Sequence, residues 1–591
     1  MKPKIFFAIF FLLSAVSLSF LPSLDNGFVN WDDNTSLLNN HNIQDWSLNG
    51  LKKIFMNVPS GGYHYYYHPL TMLTYALEYH FFKLDPRIYH LDNLILHLGN
   101  VILVFSLIFL LSGRISVAWI TALLFGIHPL RVESVAWVTE RKDLLFSFFY
   151  LSSLLTYVVY LKKALSSKRY LWLAILLFVL ACLSKPQAIS LPFVLWAIDY
   201  FFKRKYSKAL ILEKIPFLLI ALVFGGLSVF SVKPLLSNDY NFTQYYSVFE
   251  KLWVVPYGFF LYLVKSVWPW GLSCLYPYPR KIDGALPWTV YLSFFAPLFF
   301  LIILIKNRRH AGTAVFGMLF FLVTVLLPLY NMRYGFFIND RYTYLPSIGL
   351  FFVLVEGCIG WLENPSKKPL RLGMWAALVG FCALFSFLTF QRCKVWKDSI
   401  ALWSDVIRKF PNRFPQAYNN RGNAFYVMGQ NELSLLDYNQ AIFVNPSYVS
   451  AYHNRGHALY RIGHRDLALL DYNKAIQLKP DYASAYHNRG KLYFDMGRYD
   501  LAMLNFDMTI RIDPYHEDAY NGRGSALAQK GEYDLALISF NQAIALNPDR
   551  PDFYKNRALV YKVKKQYERA SRDMEMALRL ARDNAKLALK P

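Results

Sequence analysis

Apolar residues follow two patterns along this chain. Up to about residue 390 they form long unbroken runs; from 415 onward they recur at helical spacing among polar residues. Runs long enough for a bilayer lie at 5–21, 92–112, 115–130, 143–161, 170–184, 188–202, 215–232, 288–305, 312–330, 344–362 and 372–390. The pattern predicts a polytopic helical membrane domain of about eleven spans over 1–390, a linker and capping helix over 391–414, and a helical solenoid over 415–591. The stretch 252–270, with Trp253, Trp268 and Trp270, is expected to be re-entrant or interfacial. The first run follows two lysines and no small-residue cleavage site succeeds it, so it is read as a retained helix.

Charge orients these spans. One set of loops holds Arg114, then Lys162, Lys163, Lys168 and Arg169, then Lys203, Arg204, Lys205 and Lys208. Lys306, Arg308 and Arg309 follow, then Lys367, Lys368 and Arg371; with Lys2 and Lys4 these are expected to face the cytoplasm. The other set, with Asp32, Asp33, Glu133, Lys185 and Arg341, then faces a periplasm or lumen, and an odd number of crossings puts residues 415–591 on that same side.

The whole chain has 591 residues, 55% of them hydrophobic and 18% aromatic, with a net charge of +24. The basic excess gathers at the ends of apolar runs, and no groove-reading motif is present, so nucleic acid is not the expected partner. Cys182, Cys274, Cys358, Cys382 and Cys393 show no CxxC or His/Cys ligand spacing, so neither a disulfide framework nor a metal site is expected.

The solenoid has a clear period. Pro446, Pro480, Pro514 and Pro548 stand 34 residues apart, and Tyr-x-x-Arg-Gly recurs at 418, 452 and 486, with Tyr520, Arg523 and Gly524 in the next unit. That period reads as five tetratricopeptide repeats (TPRs) at about 415–448, 449–482, 483–516, 517–550 and 551–584. Asn419, Arg421, Asn454, Arg455, Asn488, Arg489, Asn521 and Arg523 recur on first helices, the concave side of such arrays, and are expected to bind an extended peptide. The helix expected at 396–410, ending before Pro411, would cap the array.

Chemistry-bearing residues collect in the outward loops. Asp32 and Asp33 follow the first span, where like charge and desolvation raise a carboxylate pKa and suit a general base. His68 and His128 each precede a proline at the outer membrane edge. Arg131, Arg141, Lys185 and Arg341 put several cations on the side the positive-inside bias disfavours, a set suited to a lipid-linked phosphate.

Taken together, Trp31-Asp32-Asp33, Tyr67-His68-Pro69-Leu70-Thr71, His128-Pro129 with Glu133, Leu183-Ser184-Lys185, Asp340-Arg341-Tyr342 with Tyr344-Leu345-Pro346, and the trailing repeats resemble the transmembrane-and-TPR O-mannosyltransferase family. That family is part of the type C glycosyltransferase superfamily, and this chain looks like a bacterial-type member. The resemblance implies an all-α fold and an inverting transfer of mannose or another hexose from a polyprenyl-phosphate donor to Ser or Thr of a protein. It implies Asp32 or Asp33 as base, Arg131 or Arg341 on the donor phosphate, and Glu133 orienting the sugar. Arg141, Lys185, Tyr342, His68 and His128 would complete the donor site; no further cofactor is required, and a divalent cation is compatible. The chain departs from the family pattern at Pro186-Gln187, where an acidic residue often follows the lysine. The expected partners are membrane lipid, the lipid-linked sugar and a protein bound by the repeats. The expected location is a bacterial inner membrane with periplasmic repeats, the alternative being the endoplasmic reticulum with lumenal repeats. The rival functional reading is a non-catalytic membrane-anchored TPR scaffold for envelope or secretory assembly. Transport is disfavoured because the ionisable residues sit at the outer edge rather than at mid-membrane.

Overall fold

The computed structural model describes residues 3–56, 67–163, 165, 167–231, 246–306, 312–330, 337–363 and 371–588. Of the basic clusters used to orient the spans, Arg308, Arg309, Lys367 and Lys368 lie outside this set, as does Lys2. The regular elements among the described residues are helices, apart from an isolated bridge between Ile282 and Ala285. The chain divides into two compact units, Met1–Arg413 and Phe414–Pro591.

Helices occupy all eleven apolar runs of the first unit. Among the described residues, five are long and apolar enough to cross a bilayer: Ile5–Asp25, Pro86–Ser112, Val138–Lys162, Lys208–Val229 and Arg371–Trp396. The bent pair Ile115–Ile127 and Pro129–Ala136, with 56° between its halves, makes up to six. Of the remaining runs, 188–202 forms a helix of only 11 residues, Leu191–Phe201, whereas Gly312–Tyr330 fills its run with 19 and Lys168–Ser184 and Ser347–Glu363 have 17 each. The stretch expected to be re-entrant is the helix Val248–Val267, opened by Ser247 and Glu250, each capping the other's backbone N–H.

Polar residues hold the bent pair in place. Its backbone breaks at His128-Pro129, freeing carbonyls that bilayer lipid cannot satisfy. Asn93, His97 and Asn100 recur on one face of Pro86–Ser112 and reach these groups. The Asn93 amide donates to the Val135 and Trp137 carbonyls at 3.2 Å each, and Asn100 donates to the Leu144 carbonyl at 2.9 Å. His97 Nε2 lies 2.9 Å from the Gly126 carbonyl, which fixes its Nδ1 as the acceptor for the Tyr344 hydroxyl at 2.7 Å. The bend therefore has one defined shape, and it carries the loop 128–143.

Elsewhere helices approach through small residues. A methyl group built on Gly317 would lie 2.4 Å from the Gly349 carbonyl oxygen, so the backbones of Gly312–Tyr330 and Ser347–Glu363 touch directly.

The segment assigned to a linker and cap forms the helix Ser399–Lys409, which packs inside the first unit. Its Trp403 indole donates to the Asn30 side-chain oxygen at 2.7 Å.

In the second unit paired helices repeat from Pro415 to Ala588. In the first four repeats an aromatic residue rests on the glycine: a methyl group on Gly456 would lie 3.0 Å from the Tyr472 ring, and one on Gly524 would lie 2.8 Å from the Phe540 ring. Between the helices of a pair, Gly429, Gly463, Gly497 and Gly531 take φ of 76°, 90°, 73° and 82°. In the fifth repeat Lys565 stands at the same place with φ 59°.

Candidate active site

The loop after the first helix is fixed on both sides. The Asn26 amide donates to the Cys393 carbonyl at 3.1 Å, Gly27 N–H to the Lys397 carbonyl at 2.8 Å, and Asn30 N–H to Ser399 Oγ at 2.8 Å. Trp31 stacks on Trp137 with ring centroids 4.7 Å apart, and Trp137 stacks in turn on Trp396 at 5.4 Å. These bonds and rings fix the acidic pair against the bend.

The two carboxylates have different surroundings. Asp33 is buried and accepts from Val29 N–H at 2.8 Å, Trp137 Nε1 at 3.0 Å and the Thr139 hydroxyl at 2.9 Å. Burial lifts its pKa to about 7 against the pull of those three bonds. Asp32 is only half-buried, and its carboxylate accepts no hydrogen bond from the described residues. Desolvation raises its pKa as well, opposed first by Lys142 and assisted by Glu140.

Beside Asp32 lies a network of ion pairs. Arg341 pairs with Glu133 through its guanidinium, its backbone N–H donates to Glu133 at 3.1 Å, and its Nε lies 3.3 Å from Glu140. Glu140 also meets Lys142 at 3.1 Å and Lys185 at 3.5 Å, while Lys185 bonds Asp143. Burial opposes the charge on Lys185, but Asp143 and Glu140 outweigh it and hold the ammonium pKa above its usual value. The Arg341 guanidinium lies over Tyr342 and Trp137, 5.1 and 5.5 Å from the ring centres. An anion entering here would meet preformed cations on an aromatic floor.

Of the residues expected at the donor, Glu133, Lys185, Arg341 and Tyr342 come together beside Asp32, and three others do not. Arg131 is fully buried, donating to the Thr343 carbonyl at 2.8 Å and its hydroxyl at 3.1 Å while packed between Phe125 and Tyr344. Arg141 is 1% exposed and held by Asn93, Glu78 and the Tyr89 carbonyl. His128 is enclosed, accepting from Leu130 N–H and lying 3.1 Å from the Ser266 carbonyl. These three are enclosed at the bend by the partners just named and do not join the Arg341 network. His68 is the residue preceding the helix Pro69–Phe82 and is partly exposed.

Sequence reasoning left out Lys142, Trp137, Glu140 and Asp143 as site residues. The available signal was proximity, since all four lie within 15 residues of His128 in the chain. Among the described residues no group of three or more His, Cys, Asp or Glu side chains converges as a metal site.

In the second unit the recurring polar residues are occupied within the array. Arg421 and Arg455 form two-bonded pairs with Asp437 and Asp471, each 16 residues on in the second helix of the same repeat, at 2.7–2.8 Å. Arg489 donates to Asn505 and Arg523 to Ser539 in the same geometry. Arg455 and Arg489 also reach back to Asn439 and Asn473 of the preceding repeat at 2.6 Å. Amides link consecutive first helices: Asn454 to Asn419 at 2.9 Å, Asn488 to His453 at 2.7 Å and Asn556 to Asn521 at 3.0 Å. At the one junction where Gly522 replaces the asparagine, His487 Nδ1 is buried with no partner.

The comparisons with known proteins agree with this two-part layout. The family described as "TPR repeat" matches residues 422–463, 466–497 and 524–565, and "Tetratricopeptide repeat" matches 483–516, so the second unit carries TPRs. The chain is 26% identical over 487 residues to protein O-mannosyl-transferase TMTC3 of Homo sapiens, covering 74% of this chain and 51% of that protein. It is 25% identical over 481 residues to human protein O-mannosyl-transferase TMTC4, covering 69% of this chain and 62% of the relative. It thus spans about half the length of the first relative and is distantly homologous to this group. Among solved structures, MamA from Desulfovibrio magneticus RS-1 is similar to 29% of this chain and 96% of its own at 18% identity, with a TM-score of 0.27.

Proposed function

We propose that this multi-pass membrane protein is an inverting protein O-glycosyltransferase that takes a hexose from a polyprenyl-phosphate carrier. The acceptor is a Ser or Thr hydroxyl presented on the outer side of a bacterial inner membrane, and the TPRs bind the acceptor or a partner protein. The observation that carries the reading is Asp32: a half-open carboxylate, unbonded among the described residues, next to the Lys142 and Arg341 charges, with Lys185 joined to the same network through Glu140.

In this reading Asp32 takes the proton of the acceptor hydroxyl as its oxygen attacks the anomeric carbon. The bond from that carbon to the phosphate oxygen breaks on the opposite face, and the phosphate leaves with the electron pair. Lys185 and Arg341 hold the departing charge, exchanging part of their contact with Asp143, Glu133 and Glu140 for it. Desolvation raises the Asp32 pKa and so makes its carboxylate a stronger base. Asp33, already accepting three bonds, orients the loop and does not take the proton. The distant homology to protein O-mannosyl-transferases supports the sugar and acceptor classes.

The test is transfer of labelled mannose from polyprenyl-phosphate mannose to a peptide by the purified chain in lipid nanodiscs. Lys185→Met should raise KM for the lipid donor at least tenfold. A variant with unchanged donor KM would remove Lys185 from the donor site.

A further inference from the structure

Cations gather a second time in the first unit, where the last candidate span Arg371–Trp396 meets the helix Ser399–Lys409. A cleft of about 420 Å³ opens there, lined by Lys394, Val395, Ala401, Ser404, Asp405 and Arg408. Its single carboxylate is already saturated: Asp405 meets Arg392 at 2.5 Å, Arg408 at 2.8 Å and Lys409 at 2.7 Å. Arg392 and Lys409 meet Asp405 from outside the lining, so the two lining cations, Lys394 and Arg408, face one already neutralised carboxylate and the lining has a positive surplus. Lys394 is exposed and has no carboxylate partner among the described residues; its ammonium lies 4.9 Å from the Phe390 ring centre. Arg408, 76% exposed, donates one bond to Asp405 and keeps its other N–H groups open.

Position narrows the ligand. The cleft sits at the end of an apolar helix of membrane-crossing length, the depth of lipid headgroups rather than of bulk solvent. It also lies on the same end of the unit as the candidate active site, since Cys393 and Lys397 carbonyls bond the loop carrying Asp32. In the proposed orientation that end is the outer one, where positive-inside bias gives no reason to collect four cations. A guanidinium and an ammonium facing one cleft fit a phosphate.

We propose that this cleft binds the phosphate headgroup of an anionic membrane phospholipid, with Lys394 and Arg408 as its ligands and Arg392 and Lys409 neutralising Asp405 behind them. The site is separate from the donor site, and the inference does not depend on the transfer reaction.

Binding is read by native mass spectrometry of the full chain in detergent micelles titrated with phosphatidylglycerol or phosphatidylcholine. The expected result is one phosphatidylglycerol retained at least tenfold more tightly than phosphatidylcholine. Lys394→Gln with Arg408→Gln should abolish that preference; both side chains are exposed, and unchanged helical circular dichroism checks the fold. Lys52→Gln with Lys53→Gln removes the same charge from another exposed helix and should leave the preference within twofold. An unchanged preference in the Lys394/Arg408 pair, or an equal loss in the Lys52/Lys53 pair, would overturn the proposal. Displacement of phosphatidylglycerol by about 10 mM inorganic phosphate would reassign the cleft to a soluble anion and equally overturn the lipid site.

Discussion

The indole N–H of Trp137 donates to Oδ1 of Asp33 at 3.0 Å, and that bond joins the bend of the broken helix to the loop behind the first span. It also separates the acidic pair chemically: Asp33 is held by three donors, whereas its neighbour is left open. Trp137→Phe keeps the ring stack with Trp31 and Trp396 but leaves a buried carboxylate one donor short. Stability should fall by about 1–3 kcal/mol, read from thermal unfolding in detergent, and an unchanged midpoint would show the bond to be dispensable.

The pH dependence of Asp33 has a definite sign. Its folded pKa, raised to about 7 chiefly by burial, exceeds the unfolded value of about 3.9. Between those values the folded form holds the proton more tightly, so this group's contribution to stability falls as pH rises from about 4 to about 7 and is flat above. Asp33→Asn should flatten that part of the melting-temperature profile, whatever it does to the absolute midpoint. An identical slope in the variant would contradict the assignment.

Arg131 and Lys185 make a contrasting pair. Arg131 is wholly enclosed and bonds Thr343, so Arg131→Met should lower stability by about 1–3 kcal/mol and reduce the folded yield. Lys185, 9% exposed and paired with Asp143 and Glu140, is expected to act on the donor, so Lys185→Met should raise donor KM in addition to any loss of stability. Thermal stability and KM measured together on both variants separate the roles.

How far the sequence could be read depended on how local each signal was. The repeat period, the paired helices and the glycine turns follow from residues 34 apart and were fully legible. Asp32, Lys185 and Arg341 stood out because charge beside a long apolar run is costly. That criterion could not separate Arg341, beside Asp32, from Arg131, buried under Tyr344, since both are arginines near the same boundary. Nor could it show that Asn454 and Arg455 would be used inside the array, because their partners Asn419 and Asp471 lie 35 and 16 residues away. Span length was legible only in part: composition marks an apolar run, but the break at His128-Pro129 divides the helix built from one of them.

The fifth repeat carries a correctable strain. Lys565 holds φ 59° where the four preceding repeats place glycine. Lys565→Gly relieves a left-handed conformation that costs a side-chain-bearing residue about 1 kcal/mol, and the exposed lysine leaves little behind. The variant should resist limited proteolysis of the C-terminal repeats longer than wild type; faster cleavage would show the turn to be unstrained.

The most direct test of the functional account compares Asp32→Asn with wild type for mannose transfer from polyprenyl-phosphate mannose to a Ser/Thr peptide in nanodiscs. The account predicts a fall of at least about 100-fold in kcat, the scale of a lost general base, with donor KM and thermal midpoint nearly unchanged. Transfer by the Asp32→Asn chain at the wild-type rate would contradict it, as would a wild-type chain that moves no sugar under the same conditions.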